Sequence, residues 1–540
     1  MAENDLARVL LKRLERLKGL RSTWESHWQE IADYIVPRKA DITVSRTGGD
    51  KRTENVFDGT AIHAAEMLSA SLHGMLTNPS TQWFGLDYLD NNLNSDDEAK
   101  EFIEVCGDIM HREFQRSNFA EQVHELYHDL ITFGTGVMFI DRAPDNQRGV
   151  RFATRHISEC YLSEDQYGRV DTVFREYKLP LRAMVRQFGM ENIGEKMQKK
   201  HEKDPYEEIK LVHIVMPRDE RDAKKIDNKN MPWASIHIEP ETKLVLREGG
   251  YQEFPYCCPR FLKASFEQGY GRSPSYTALP DTKMINAMSE VTIKAAQKQV
   301  DPPLMVPDDG FILPVNTKPA GLNFYRSNSR DRIEPLNIGA NNPLSLQTEE
   351  QRRTQIRSCY YVDQLIMAQG PQMTATEVMA RQEQAMRLLG PVLGRLQAEL
   401  LQPCIERVFQ VLSRQNIFPP VPEIVTEVSG MQIEYVSPLA KAQRQTDVQS
   451  IIRMFELLSP LASVDASVFD HLDMDGLVRY ITKALAIPAS VTRGEMEIAM
   501  ARRQRAEQQQ QQAEMAEATQ TAQNLGAVAP AVKVLQQGSA

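Results

Sequence analysis

The chain has 540 residues, 41% hydrophobic and 25% charged, with a formal net charge of -10. This length and balance suit about two to four globular cores and exclude a chain disordered throughout, while the negative charge excludes a protein that coats nucleic acid through clustered Lys and Arg. No stretch approaches the roughly 18 consecutive apolar residues of a membrane span, Glu3 and Asp5 stand where a signal peptide would be basic and then apolar, and the scattered Cys106, Cys160, Cys257, Cys258, Cys359 and Cys404 form no CxxC pair, which argues for a cytosolic protein with neither a disulfide framework nor a zinc ribbon.

In chain order, Leu6, Val9, Leu10, Leu14, Leu17, Leu20, Trp24, Trp28, Ile31 and Ile35 recur at helical intervals and predict an amphipathic helix that ends at Pro37. A polar loop with Gly48-Gly49-Asp50 leads to a second helix, Gly59 to Met75, stopped by Asn78-Pro79. A third helical stretch runs from Ser95 to Ile131. After Phe133-Gly134-Thr135-Gly136 the period changes: Val137 to Ile140, Val150 to Phe152, Val170 to Tyr177, Ile209 to Met216, Ala234 to Ile238 and Leu244 to Leu246 read as strands of an antiparallel, hairpin-rich sheet.

Two helices then flank a proline-broken insertion. Ala278 to Val300 carries Leu279, Met284, Ile285, Met288, Val291 and Ala295 at close to helical spacing, with Pro280 suited to a first turn; Leu346 to Met367 returns. Between them, Asp301-Pro302-Pro303 and Val306-Pro307-Asp308-Asp309-Gly310 remove amide donors and force the chain out of the helical layer. Such a hairpin tower has too little core to stand alone and needs lateral neighbours, as a ring of identical subunits would supply. A loop at Ala368 to Met373 precedes a helix capped at Thr374 or Thr376 that runs towards Asn416 and should kink at Gly390-Pro391. Met431 to Val436 reads as a strand, Gln445 to Leu485 as helical, and the last forty residues as a frayed helix or flexible tail. The fold class is α+β, mainly helical.

His124-Glu125-Leu126-Tyr127-His128 matches HExxH, which on a helix can present two imidazoles to zinc beside a general base. Its metzincin extension fails, because Ile131 and Gly134 stand where glycine and a third histidine are required. The bland reading is that this helix buries Phe119, Val123, Leu126, Leu130 and Ile131 and leaves the histidines on a polar face. Asp473-Met474-Asp475-Gly476 fails as a calcium loop, since Thr482 stands at the twelfth position. GxxxxGK followed by Ser or Thr is absent, and no catalytic site, metal or cofactor is expected.

Several segments resemble the portal, or head-to-tail connector, proteins of short-tailed bacteriophages. They are Gly269-Tyr270-Gly271-Arg272-Ser273-Pro274 with Ala278-Leu279-Pro280-Asp281-Thr282-Lys283-Met284-Ile285-Asn286, the insertion above, Trp28 to Ile35 before Pro37, Phe133 to Gly136, and Met373-Thr374-Ala375-Thr376-Glu377-Val378. The resemblance spans about residues 20 to 495. It implies a ring, usually dodecameric, at one capsid vertex, for genome packaging and ejection. It assigns 1–275 to a wing, 276–300 and 346–367 to stem helices, 301–345 to a clip, 368–373 to a tunnel loop, 374–439 to a kinked wing helix and strand, 440–500 to a crown and 501–540 to a tail.

The partners implied are other copies of the chain, the terminase large subunit, tail adaptor proteins, major capsid and scaffolding proteins, and double-stranded DNA in the channel, with no membrane. The location implied is the virion, with a host-cytoplasm stage during assembly. Gln369, Gly370, Pro371, Gln372 and Met373 would narrow the channel, and Pro302, Pro303, Asp308, Asp309 and Gly310 would dock partners; within the stem, Lys283, Lys294 and Lys298 are candidates to face DNA phosphates, the alternative being solvated or intersubunit-pairing roles. Competing readings are a zinc-dependent hydrolase using His124, Glu125 and His128, and a helical internal scaffold or core protein.

Overall fold

The computed structural model describes residues 3–301 apart from 48, 91–92, 94–95, 145–147, 223 and 226; it also describes 304–305, 334–335, 343–365, 389–425, 431–435, 448, 450–458, 476–478, 481, 500, 502–505 and 508. The chain divides into two units. One comprises Met1–Thr81 and Met110–Ile417, the other Gln82–Ile109 and Phe418–Ala540.

In the first unit, α1 (Glu3–Ile35) is the long amphipathic helix read from the sequence. Leu10, Leu14, Trp28, Ile31 and Ile35 are buried, whereas Val9 and Leu20 are exposed. The chain leaves it through a 3-10 turn opened by Pro37, whose fixed φ and missing N–H suit a first turn. Helix α2 (Thr60–Leu76) follows. The stretch expected as one helix from Ser95 to Ile131 is two: α3 (Asp97–Arg116), which belongs to the first unit from Met110 onward, and α4 (Phe119–Phe133). The break falls at Ser117-Asn118, where Asn118 exchanges hydrogen bonds with the Phe152 backbone at 2.8 and 3.1 Å. A tertiary contact thus ends a run that periodicity would continue.

Five strands form one antiparallel sheet in sequence order: β4 (Cys160–Glu164), β5 (Val170–Pro180), β6 (Glu208–Pro217), β7 (Trp233–Glu239) and β8 (Leu244–Tyr251). A second sheet has the order β3-β2-β9, built from β2 (Met138–Arg142), β3 (Val150–Thr154) and β9 (Tyr256–Cys257). One face of the large sheet receives α1 through Leu10, Leu14, Phe174, Val212, Ile214 and Ile236. The short helices α5 (Leu181–Phe188) and α6 (Glu195–Lys203) close one end through Leu181, Met184, Phe188 and Leu211. A third cluster packs Trp28, Phe133, Val173, Tyr256, Cys258 and Tyr270. Cys257 and Cys258 are both buried, and burial pushes the Cys257 thiol up to about 12, as befits a packing residue.

Helix α7 (Pro274–Val300) begins one turn earlier than the sequence suggests. Pro274 takes the first-turn position, so Pro280 lies inside the helix. Two short strands, β10 (Leu304–Met305) and β11 (Glu334–Pro335), pair antiparallel beyond it. The return helix expected over Leu346 to Met367 is α8 (Pro343–Cys359) followed by a break at Tyr361, whose φ is 58°, and the short α9 (Val362–Leu365). Residues 389–396 are helical through Gly390-Pro391 and continue into a π turn, Gln397–Leu401, and α10 (Gln402–Arg414). The ladder is therefore disturbed just ahead of Pro403, which lacks the N–H that a regular turn would use.

In the second unit, β1 (Phe84–Tyr88) pairs antiparallel with β12 (Met431–Tyr435), Leu86 opposite Ile433. The Tyr88 hydroxyl donates to the Ala99 carbonyl at 3.1 Å. No helix among the described residues is long and apolar enough to cross a membrane.

Candidate functional site

Helices α7 and α8 stand side by side and antiparallel, with residue pairs running in opposite directions along them. Ser275 Oγ lies 2.8 Å from Tyr360 Oη, Arg352 Nη1 donates to Asp281 Oδ1 at 2.8 Å, and Thr292 Oγ1 donates to Glu349 Oε1 at 2.7 Å. The base of the pair is tied to the loop before α2. Asn286 Oδ1 accepts from the Phe57 and Asp58 amides at 2.7 and 3.0 Å, and Arg353 Nε donates to Asp58 Oδ2 at 3.0 Å. Burial would raise the Asp58 carboxyl, but hydrogen bonds from Thr60 and Arg353 outweigh it and hold the group below its ordinary value. Ser273 and Ser275 donate to the Thr132 and Ile131 carbonyls, each at 2.8 Å, which fixes the start of α7 on the end of α4.

That junction explains two glycine motifs. Gly134 ends α4 with φ +81°, and a Cβ there would lie 2.3 Å from the Gly271 carbonyl oxygen. A Cβ on Gly271 would lie 2.7 Å from the Leu262 carbonyl oxygen and 2.8 Å from that of Gly134. Phe133-Gly134-Thr135-Gly136 and Gly269-Tyr270-Gly271 thus cross backbone against backbone, where no side chain fits.

Above this base α7 emerges. Asn286 and Ser289 are its last buried residues, and from Glu290 onward every position is intermediate or exposed, including Val291 at 66%, Ile293 at 44% and Val300 at 87%. The three lysines singled out from the sequence differ in setting. Lys283 pairs with Glu30 at 2.8 Å, Lys294 pairs with Glu290 one turn away at 2.5 Å, and Lys298 is exposed in the last turn. Gln369, Gly370, Pro371, Gln372 and Met373 lie outside the described residues, as do Pro302, Pro303, Asp308, Asp309 and Gly310.

The HExxH helix is not laid out as a zinc site. Phe119, Val123, Leu126, Leu130 and Ile131 are buried as expected, but His128 is buried too, at 3% exposure, and not on a polar face. It packs beside the 3-10 turn after α1. Burial first, then Arg38, Lys39 and His124, push its imidazole down to about 3. His124 is exposed, and Glu125 pairs with Lys39 at 2.9 Å. Among the described residues no three His, Cys, Asp or Glu groups converge as a metal site.

Sequence reasoning passes over the buried arginines. Arg21, 2% exposed, donates to the Ile157, Ser158 and Cys160 carbonyls at 2.7–2.8 Å. Arg260 is held by Glu164 and, at 2.7 Å, by Glu399, the residue presented by the π turn. Neither carries a local signal, because their partners lie about 140 and 96 to 139 residues away.

The family model described as "Bacteriophage head to tail connecting protein" matches residues 7–492. The "Probable portal protein" of Bordetella phage BPP-1 is 33% identical over 541 residues, covering 98% of this chain and 97% of that protein. The "Portal protein" of Salmonella phage epsilon15 is 30% identical over 518 residues, covering 94% and 92%. A chain from the "Neck of native GTA particle computed with C12 symmetry" is 11% identical over 78% of this chain and 94% of its own length, with a TM-score of 0.35, too distant to bear on the fold.

The chain belongs to the family of bacteriophage head to tail connecting proteins. Its function is that of a portal, a structural part that joins phage head and tail in the virion.

Proposed function

We propose that copies of this chain close into a ring, as a dodecamer, whose central channel carries double-stranded DNA during packaging and ejection. In this reading 276–300 and 346–367, the spans that hold most of α7 and of α8, are the stem, 301–345 the clip that docks the terminase large subunit and later the tail adaptor proteins, and 368–373 the tunnel loop. Residues 1–275 and 374–439 form the wing and 440–500 the crown, against the capsid and scaffolding proteins. The protein has no catalytic role of its own, and it passes through the host cytoplasm before entering the virion.

The observation that carries this reading is the α7–α8 pair, anchored at one end by Asn286, Asp58 and Arg353 and bare at the other. At 1.5 Å per residue its 27-residue helix rises about 40 Å, enough to line a channel. The charge also suits a conduit: twelve copies carry 12 × -10 = -120, a surface that repels a polyanion's backbone and lets it slide. Electron microscopy of the purified assembly tests the ring: a closed ring with an opening wide enough for duplex DNA is expected, and a rod or an unringed monomer would overturn it. For the tunnel loop, replacing Gly370 and Pro371 by alanines should spare the ring and impair DNA packaging or retention. Unchanged packaging would remove that assignment.

A further inference from the structure

Beside the glycine crossing, the middle of α1, the end of β4 and the segment 266–276 enclose a cleft of about 570 Å³. That volume lies within the range of about 300–1,000 Å³ that ligand sites occupy. Its wall is aromatic. The Trp24 ring centre lies 5.9 Å from that of Tyr270 and 6.2 Å from that of Tyr276, and His27 stacks on Tyr276 at 4.4 Å with planes 13° apart. At the mouth two apolar side chains stand largely in solvent, Leu20 at 64% exposure and Phe266 at 80%.

Arg272 supplies the charge. Its backbone exchanges both hydrogen bonds with Leu262, at 2.7 and 3.1 Å, and its Nε donates to the buried Glu267 at 2.6 Å, so the side chain is held in place. The guanidinium lies 5.9 Å from the centres of both the Trp24 and the Tyr276 rings, and the side chain is 57% exposed. Its two terminal nitrogens donate to no other group among the described residues, which leaves open the flat edge that a carboxylate matches with two bonds. The carboxylates around the cleft are committed to the fold. Glu164 pairs with Lys263 at 2.7 Å and with Arg260, Asp165 accepts from the Tyr167 and Arg169 amides at 2.8 and 2.9 Å, and Glu267 holds Arg272. With a guanidinium already over the aromatic faces, a second cation is repelled there and an anion is drawn in.

We infer that this cleft is a docking site for a segment of another protein that carries an aromatic side chain next to a carboxylate, the ring seated against Trp24 and Tyr276 and the carboxylate on the open edge of Arg272. The exposed rim makes the occupant a protein segment. A free aromatic acid would fill the cleft and leave Leu20 and Phe266 in water, whereas the flanking residues of a chain cover them.

Fluorescence anisotropy of the full chain with the labelled hexapeptide Ser-Leu-Phe-Glu-Leu-Ser tests this, against the same peptide with Gln in place of Glu. The Glu peptide should bind saturably and about tenfold more tightly than the Gln peptide, the worth of one charge-assisted bond. In a chain carrying Arg272→Gln together with Glu267→Gln, which leaves no carboxylate buried alone, the two peptides should bind equally. Phe266→Ser, at an exposed position, should weaken both about threefold and leave the unfolding midpoint unchanged. No saturable binding, equal binding of the two peptides to the parent chain, or a Glu preference that survives in the double variant would overturn the site. Phenylacetate that displaces the peptide at equal concentration would overturn the protein occupant in favour of a small aromatic acid. Loss of self-assembly in Phe266→Ser, measured by sedimentation, would overturn the separate partner in favour of a neighbouring copy of this chain.

Discussion

His128 shows how burial decides what a motif can do. In the unfolded chain its imidazole takes up a proton near pH 6.5, whereas in the fold it stays neutral until about 3. Between those values the unfolded state binds more protons, so this residue's contribution to stability is full above about 6.5 and is lost as pH falls towards 3. Replacing His128 by Leu should flatten the fall in unfolding free energy over that window, measured by denaturant titration at several pH values; an unchanged slope would mean that the folded imidazole protonates freely. Zinc should not bind stoichiometrically in either protein, and zinc that binds the parent and is lost in the variant would overturn the structural reading of α4. The apolar stripe of α4 was legible from spacing alone. The burial of His128 was not, because the cover comes from Arg38 and Lys39, some 90 residues away.

At the scale of elements, the crossing of the two glycine segments carries the clearest consequence. A methyl group on Gly271 would meet backbone oxygens at 2.7 and 2.8 Å, and backbone cannot rotate aside as a side-chain tip can. Gly271→Ala should therefore cost about 3 kcal/mol or more, at the upper end for overpacking a core. Gly74→Ala in α2, where a Cβ meets nothing within 4 Å, should instead stabilise by up to about 1 kcal/mol. Unfolding midpoints of the two variants moving together would sink this account. The same scale shows what a sequence gives away. The strands β5 to β8 and the paired α7 and α8 follow from period and punctuation. The division of α3 from α4, the place of Pro280 and the strand β4 depend on partners distant in the chain, such as Phe152 at Asn118 and Ser273 before Pro274. Pro280 was legible as a residue but not as an interior position, because the helix start is set by the bonds of Ser273 and Ser275 to α4.

At the scale of the whole molecule, the bare end of α7 is the feature that a single chain leaves unexplained. Its exposed apolar residues fall on two sides of the helix. Met284 and Val291 are seven residues apart and share one face, Ile293 and Val300 share another, and two residues, about 200°, separate Val291 from Ile293. Two different apolar faces are what a head-to-tail interface requires, since each subunit must offer one face to the neighbour on its left and the other to the neighbour on its right. A two-fold dimer would need only one. Val291→Lys and Ile293→Lys should therefore each leave a folded subunit that no longer closes a ring, measured by sedimentation and electron microscopy. The decisive observation is the mixture. A Val291→Lys subunit keeps its Ile293 face and an Ile293→Lys subunit keeps its Val291 face, so the two together can form one sound interface and stop at a dimer. Dimers in either variant alone would instead mean that a face pairs with its own copy, and rings that persist in both variants would remove α7 from the interface.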